Sequence, residues 1–293
     1  MGVFVGEIPV KKGRGFEAEK RMCLTIWKSP AEEPSSGLSL RFLHPRIHAC
    51  QSMSSPYFSR ILLKISGEAL GGPHGGLDPS AIARSAALVS EARECGAQAA
   101  VIIGAGNLFR GLAGSRQGMD RLGADYMGML ATCMNALAMR DALQQIGIPA
   151  EIQSALPIAG VLPPFDYREA ERMLSQGIVV LFAAGTGHPY FSTDTTAALR
   201  ALEIHAQAVF KATKVDGIYS ADPVTHPEAT RFARLTYDEA LSRHLKVMDA
   251  NAFALCQENH LPTVVFKATE KGVLTEILSG NFQHGTLVTD ATC

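Results

Sequence analysis

A glycine-rich loop that follows an apolar run is the first candidate for chemistry in this sequence. The apolar run is Ala99–Ile103, and Gly104–Gly111 (GAGNLFRG) follows it directly. A short run without polar alternation is typical of a strand buried on both faces of a parallel sheet. Gly104 and Gly106 permit unusual φ values and the close approach of a ligand, and the Arg110 guanidinium suits phosphate oxygens. The stretch fits a phosphate-binding loop and, equally well, a tight turn with a surface arginine.

A lysine near the end of another apolar run is the second candidate. The run is Arg60–Ile65 (RILLKI), and Ser66-Gly67 breaks it. Lys64 fits an ammonium group beside bound phosphates, next to a backbone that can donate hydrogen bonds. It also fits a charge that protects an edge strand from aggregation.

A third candidate follows the apolar run Ile178–Ala183. The next residues, Ala184–Asp194, supply glycines, hydroxyls and aromatic rings, and a helix is predicted to begin at Thr193 or Asp194. Hydroxyl and free N–H groups at a helix start bind anions, and aromatic rings could flank a base. An ordinary helix cap explains Thr193 and Asp194 but not the whole loop.

A carboxylate near the start of an apolar helix is the fourth candidate. Arg121–Ile146 is rich in Met, Ala and Leu and predicts a long, largely buried helix, either a core helix or one that carries a subunit interface. Asp125 needs a partner in such a setting. Helix capping and recognition of ligand hydroxyls both fit it.

The elements that position these residues alternate between strand-like and helix-like from about residue 60 onwards, which predicts a layered α/β fold. Asp216-Gly217 predicts a tight hairpin turn. The other predicted strands are 150–154, 207–211, 263–266 and 286–288, and the other predicted helices are 78–95, 166–176, 237–243, 249–258 and 272–278.

Composition limits the partners of this 293-residue chain. Its net charge of −1 gives no reason to expect a nucleic-acid partner, and no apolar segment approaches the roughly 20 residues that span a bilayer. Its six cysteines include no CxxC pair, which argues against a zinc site or a disulfide framework and favours a reducing compartment.

The first 57 residues differ in character from the rest. They hold the only tryptophan, Trp27, with frequent Pro and Ser and no sustained periodicity. A transit peptide is one interpretation, and a true translation start at Met53 is the favoured one. Residues 1–57 are therefore predicted to be a disordered extension or absent, and residues 58–293 to be the folded domain.

The chain resembles the bacterial-type UMP kinases of the amino acid kinase family in six stretches that stand in the family's order. They are RILLKISGEAL, GAGNLFRG, GADYMGMLATCMNALAMRDAL, AAGTGHPYFSTDT, KATKVDGIYSADP and LKVMDANAF. The resemblance implies an αβα sandwich with a central, mostly parallel sheet. It also implies a cytoplasmic hexamer that phosphorylates UMP to UDP with ATP and Mg²⁺ in pyrimidine nucleotide biosynthesis, with GTP and UTP as effectors.

The resemblance also implies roles for individual residues, with no resident metal site. It assigns ATP contacts to Lys64, Ile65, Ser66, Gly67, Gly106, Arg110, Thr213, Tyr219 and Asp222. It assigns UMP contacts to Ala105, Asp125, Thr186, Gly187, His188, Pro189, Tyr190, Phe191, Ser192 and Thr193. It assigns catalytic roles to Lys64, Arg110, Asp194 and Asp249, the last two as carboxylates that orient the lysine.

One position departs from the family's pattern, because Ala105 stands where a glycine is usual. A methyl group there costs on the order of 1 kcal/mol if φ must be positive, and nothing if only the N–H is used. Two other functions stay open beside UMP phosphorylation. One is a kinase of the same fold that acts on a carboxylate or carbamate, and the other is a non-catalytic nucleotide-binding protein.

Overall fold

The computed structural model describes residues 55–109, 118–221, 223, 225–245 and 248–290. The predictions for residues 1–54, Arg110 and Asp222 lie outside these ranges. The strands are β1 (Arg60–Ile65), β2 (Gln98–Ile103), β3 (Ala150–Ser154), β4 (Val179–Ala183), β5 (Ala208–Thr213), β6 (Ile218–Tyr219), β7 (Arg231–Phe232), β8 (Arg234–Thr236), β9 (Thr263–Lys267) and β10 (Gly285–Thr289). The α-helices are α1 (Pro79–Glu94), α2 (Arg121–Gln145), α3 (Tyr167–Ser175), α4 (Thr193–Glu203), α5 (Tyr237–Ser242), α6 (Ala250–Glu258) and α7 (Val273–Leu278).

Eight strands form one sheet in the order β3-β4-β2-β1-β5-β9-β10-β8. Every neighbouring pair is parallel except β9 and β10. The two remaining strands of the described chain, β6 and β7, form a separate antiparallel pair. The predicted α/β fold with a central, mostly parallel sheet is confirmed.

Alternating side chains of the central strand enter two separate cores. Ile61, Leu63 and Ile65 of β1 pack with residues of α1, α2 and α7. Leu62 packs on the opposite face with residues of α3, α4 and α6. Because side chains alternate along a strand, Lys64 shares the face of Leu62 and therefore points to the side where α4 lies.

Two predictions about local structure are wrong. Strand β1 lies between β2 and β5, so Lys64 does not protect a sheet edge. Asp216-Gly217 does not form a tight hairpin, because β6 pairs with the distant β7. Gly217 instead allows the backbone to pack closely against Thr286, because a Cβ at this position would lie 2.5 Å from Thr286 Oγ1.

Short polar side chains set where the helices begin. Asp78 caps α1 by accepting a hydrogen bond from the amide of Ala81, and Pro79 follows, as predicted. Helix α4 is capped by Ser192 and not by Thr193 or Asp194. Helix α2 is capped by Asp120, which leaves Asp125 free of a capping role. Within the described ranges, no helix combines the length and hydropathy of a membrane span.

Tyr57, which precedes β1, packs against the folded domain. Its amide donates to the carbonyl of Leu278 at 2.7 Å. Its ring packs edge-on against Phe58 and Phe282. These contacts place Tyr57 with the folded body, one residue before the predicted domain start.

Candidate active site

Four loops leave the sheet at one edge, where the parallel strands β4, β2, β1 and β5 end side by side. This carboxyl edge is where open α/β sheets bind ligands. The loop after β1 carries Ser66 and Gly67, and the loop after β2 carries Ala105 and Gly106. The loop after β4 leads into α4, and Thr213 ends β5. The structure thus gathers most of the predicted site residues at this edge.

Two lysines share one carboxylate at the centre of the edge. Lys64 of β1 and Lys211 of β5 are register neighbours in the sheet. The Lys64 Nζ lies 3.0 Å from Asp194 Oδ1, and the Lys211 Nζ donates to Asp194 Oδ2 at 2.8 Å. All three side chains are 14–18% exposed. The cluster carries two positive charges against one negative charge, which favours an anionic ligand.

The first turn of α4 supplies that carboxylate. Burial disfavours ionisation of Asp194, but the Lys64 and Lys211 ammonium groups outweigh burial, so the pKa of this carboxyl lies below its ordinary value of 3.8. Asp194 therefore stays charged at neutral pH and holds both lysines.

Lys211 is the clearest residue that the sequence analysis missed. It interrupts the apolar strand AVFKAT in the same way that Lys64 interrupts RILLKI. The same signal, a lysine near the end of a buried strand, was present at both positions.

Unpaired amides line the loop after β2. Within the described part of the chain, the N–H groups of Ala105, Gly106 and Asn107 donate to no acceptor. Three consecutive free N–H groups in a turn are potential donors to an anion. The amides of Leu108 and Phe109 both donate to the Ala105 carbonyl, so the loop is a turn whose first amides are open to a ligand.

The glycines just after β1 and β2 allow close backbone packing and do not adopt unusual φ angles. Neither Gly104 nor Gly106 has a positive φ, so that expectation was wrong. A Cβ on Gly67 would lie 2.4 Å from the Gly104 carbonyl and 2.5 Å from the Gly106 amide, so the loops after β1 and β2 touch backbone to backbone. Ala105 also lacks a positive φ, so its methyl group causes no backbone strain.

Asp125 joins α2 to the loop after β4. Its Oδ2 accepts hydrogen bonds from Arg121 Nε and from the Tyr190 amide, both at 2.8 Å. Its Oδ1 accepts none within the described chain and remains available to a ligand. The Arg121 guanidinium also lies 4.9 Å from the centre of the Tyr190 ring.

The loop after β4 presents exposed aromatic rings beside this carboxylate. Tyr190 and Phe191 are 62% and 53% exposed. Tyr190 has a φ of 72°, which is uncommon outside glycine and marks a constrained conformation at a candidate site. A turn before it is closed by Thr186, whose hydroxyl accepts a hydrogen bond from the amide of His188.

Asp249 contacts hydroxyl and amide groups. Its carboxylate accepts hydrogen bonds from the hydroxyls of Ser192 and Thr195 and from the amides of Asn251 and Ala252. It thereby caps α6 and holds the cap residue of α4. The resemblance implies that Asp249 orients the catalytic lysine. Among the described residues, however, its hydrogen bonds come from hydroxyl and backbone amide groups and not from a lysine.

The residues assigned to ATP lie around the ends of β1 and β5. The Ile65 side chain is buried in the core, and its carbonyl accepts the Gly104 amide at 3.0 Å, so its side chain is not open to a ligand. Thr213 Oγ1 donates to the Val215 carbonyl at 2.6 Å. The Tyr219 hydroxyl donates to Asp216 Oδ1 at 2.7 Å, and this hydrogen bond raises the pKa of Tyr219 above its ordinary value.

The fold and the site together define an α/β protein with a net positive side-chain cluster at the carboxyl edge of its sheet. The model of the amino acid kinase family matches residues 59–267. The chain belongs to the amino acid kinase family.

Three solved structures are similar to the chain over most of its length. The UMP kinase from Bacillus anthracis is 30% identical, with a TM-score of 0.77 over 80% of this chain and 97% of that one. The UMP kinase from Ureaplasma parvum is 33% identical, with a TM-score of 0.75 over 79% and 99%. The uridylate kinase from Archaeoglobus fulgidus is 27% identical, with a TM-score of 0.58 over 78% and 99%. These structures confirm the resemblance to UMP kinases.

Proposed function

We propose that this protein transfers the γ-phosphoryl group of ATP to the phosphate of UMP and so makes UDP for pyrimidine nucleotide biosynthesis. The observation that carries the proposal is the cluster of Lys64, Asp194 and Lys211. It joins the ends of β1 and β5 to the first turn of α4, which follows the loop assigned to UMP. The named activity of the similar structures supports the choice of UMP.

The reaction needs little covalent chemistry from the protein. A phosphate oxygen of UMP attacks the γ-phosphorus, the bond to the bridging β,γ-oxygen breaks, and ADP leaves. The attacking phosphate is largely ionised at neutral pH, so no general base is required. The protein must bring two anionic groups together, and Lys64, Lys211 and the free loop amides supply the opposing charge and hydrogen bonds. Arg110 is proposed to act with them on the ATP phosphates.

Magnesium is proposed to enter with ATP as part of the substrate. Within the described ranges, no group of three or more His, Cys, Asp or Glu side chains could hold a metal ion. Asp194, the carboxylate in the cluster, already pairs with two lysines. Nucleotide phosphates and water are therefore the natural ligands of the ion.

A coupled assay of ADP release tests the proposal. UMP, CMP and N-acetylglutamate are compared as acceptors with ATP and Mg²⁺, and we expect turnover with UMP to be fastest. Faster turnover with N-acetylglutamate would favour a kinase for carboxylates. ATP binding without turnover of any acceptor would favour a non-catalytic nucleotide-binding protein.

The Asp125→Asn variant is expected to bind UMP about 10- to 100-fold more weakly, with ATP binding nearly unchanged. The carboxylate is placed to accept hydrogen bonds from ribose hydroxyls, and a hydrogen bond to a charged group contributes about 1.5–3 kcal/mol. Titration calorimetry with each nucleotide measures both affinities.

The matched control is Asp141→Asn, because Asp141 lies on the same helix and accepts a hydrogen bond from Gln145 at an exposed position. It should leave both affinities unchanged. Equal losses for UMP and ATP in Asp125→Asn would show that the change disturbs the fold instead of the UMP site.

The protein is proposed to form a homo-oligomer, a hexamer as the resemblance implies, in which a neighbouring subunit covers one face of α2. Leu122, Tyr126, Leu130 and Met134 are spaced four residues apart and are each 42–52% exposed, with Met127 beside them. Residues at this spacing form one stripe on a helix, and a large exposed apolar stripe marks an interaction surface.

Regulation by GTP and UTP is proposed from the resemblance alone.

The Leu130→Glu/Met134→Glu variant is expected to form smaller assemblies than the wild type, because two charges would be buried in the proposed interface. Light scattering coupled to gel filtration measures the mass. Leu241→Glu is the control, since Leu241 is 51% exposed on α5. A wild-type protein that elutes as a monomer would contradict the proposal.

A further inference from the structure

A pair of buried amide side chains lies behind the loop that follows β2. Asn107 Nδ2 donates to Asn135 Oδ1 at 3.0 Å, and Asn135 Nδ2 donates to Asn107 Oδ1 at 2.8 Å. Asn135, in the middle of α2, is fully buried, and Asn107 is 9% exposed. The two side chains thus form a closed, reciprocal pair between the helix and the loop.

The remaining amide hydrogens of the pair hold two backbone carbonyls. Asn135 Nδ2 also donates to the Gly104 carbonyl at 2.7 Å, and Asn107 Nδ2 also donates to the Gly76 carbonyl at 2.8 Å. The Gly76 amide returns a hydrogen bond to the Asn107 carbonyl at 2.9 Å. All four side-chain N–H bonds therefore have acceptors, and three chain segments are joined at one point.

The bond to Gly104 controls the direction of a free amide. A peptide unit is planar and trans, so its C=O and N–H point in opposite directions. No cis peptide bond occurs in the described chain. Asn135 draws the Gly104 carbonyl towards α2, so the N–H of Ala105, in the same peptide unit, must point away from α2.

The Ala105 amide is one of the three loop N–H groups that donate to no acceptor within the described chain. If the Gly104 carbonyl lost its donor, the peptide unit would be free to rotate. A carbonyl oxygen could then replace an N–H at the anion-binding surface, and that oxygen would repel a phosphate. The direction of one peptide unit thus decides whether the loop attracts or repels the ligand.

We propose that Asn135, together with Asn107, is a positioning residue that aims the loop amides at the phosphate of the nucleotide acceptor. The proposal rests on the proposed function, because it takes UMP as that acceptor. Neither amide contacts the ligand directly. Their effect should therefore appear in recognition of the phosphate and not of the nucleoside.

The test compares UMP with uridine, which lacks the phosphate. In Asn135→Leu, a substitution of similar size, we expect the affinity for UMP to fall about 10- to 100-fold and the affinity for uridine to stay within about twofold. Competition calorimetry gives both dissociation constants for the wild type and the variant. A variant that only lost stability would bind both ligands in the wild-type ratio.

A double variant separates stability from positioning. Asn135→Leu alone leaves Asn107 Oδ1 and one Asn107 Nδ2 hydrogen without a partner, whereas Asn107→Leu/Asn135→Leu removes the side-chain pair as a whole and leaves the Gly104 and Gly76 carbonyls without their side-chain donors. We expect both variants to lose the preference for UMP over uridine to the same extent, whatever their thermal stabilities, because the Gly104 carbonyl lacks its Asn135 donor in both. The double variant also keeps the proposal testable if the single variant fails to fold.

Thr263→Val is the matched control. Thr263 is fully buried at the start of β9 and lies within hydrogen-bond distance of the Tyr237 hydroxyl, at 3.1 Å. It should lower stability while keeping the wild-type ratio of the two affinities. Retention of that ratio in both asparagine variants would overturn the inference and leave the proposed function intact. A wild type that neither binds nor phosphorylates UMP would overturn the proposed function and the inference with it.

Discussion

The Lys64→Ala variant is expected to lose about 10²- to 10³-fold in kcat while its KM for UMP changes little. Lys64 carries one of the two ammonium groups in the cluster and lies at the end of the central strand. Its charge matters most when negative charge accumulates on the transferring group, and removing one such stabilising group typically costs about this factor. Steady-state kinetics with UMP and ATP measure both constants.

The fold should survive this change, because Asp194 keeps its hydrogen bond from Lys211. A thermal melt checks that expectation. Arg172→Ala is the control, since it removes an exposed ion pair with Glu169 on α3 and should leave kcat unchanged. A near-normal kcat in Lys64→Ala would assign the lysine to structure alone and would contradict the proposed mechanism.

The sheet could be predicted closely from sequence because its central strands are buried on both faces. Val179–Ala183 and Gln98–Ile103 consist almost wholly of buried residues, and the apolar runs gave their ends to within a residue or two. Burial on both faces removes the polar alternation that makes exposed strands ambiguous.

The short strands could not be predicted because their pairing is decided at long range. Strands β6, β7 and β8 contain two or three residues each, which is too few for any period to show. The Asp-Gly dipeptide suggests a local turn, but β6 pairs with β7, which begins only at Arg231. Local turn preference was overridden by tertiary contacts.

The sequence predicted only part of the site, because the remaining contacts also depend on long-range pairing. Serine and glycine follow the strand of Lys64 and suggest a ligand loop, whereas Lys211 is followed by Ala212 and Thr213, which give no such signal. Their closeness depends on the register of β1 and β5, which no local pattern encodes. Asn135 is harder still, since its partner on the loop is known only from the packing of α2.

The Asp194→Asn variant is expected to lose both activity and stability. An asparagine leaves the Lys64 and Lys211 ammonium groups close together without their shared carboxylate. Breaking a buried ion pair by removing one partner typically costs about 3–5 kcal/mol. Urea unfolding and steady-state kinetics at pH 7 measure the two losses.

The stability difference from the wild type should depend on pH in a defined direction. The folded pKa of Asp194 lies below 3.8, so at pH values between the folded and unfolded pKa the unfolded state binds more protons. The contribution of Asp194 is complete above the unfolded pKa and is lost as the pH falls through the folded pKa. The difference between wild type and variant should therefore be constant from pH 7 to about 5 and narrow towards pH 3.

Two further variants show whether charge repulsion is the cause. Lys211→Met in the Asp194→Asn background removes one ammonium group, so we expect stability to recover while activity stays lost. Asp166→Asn is the control, because Asp166 caps α3 and asparagine caps a helix about as well. If Asp194→Asn were as stable as the wild type at pH 7, or if Lys211→Met brought no recovery, the carboxylate would not be what holds the two lysines in place.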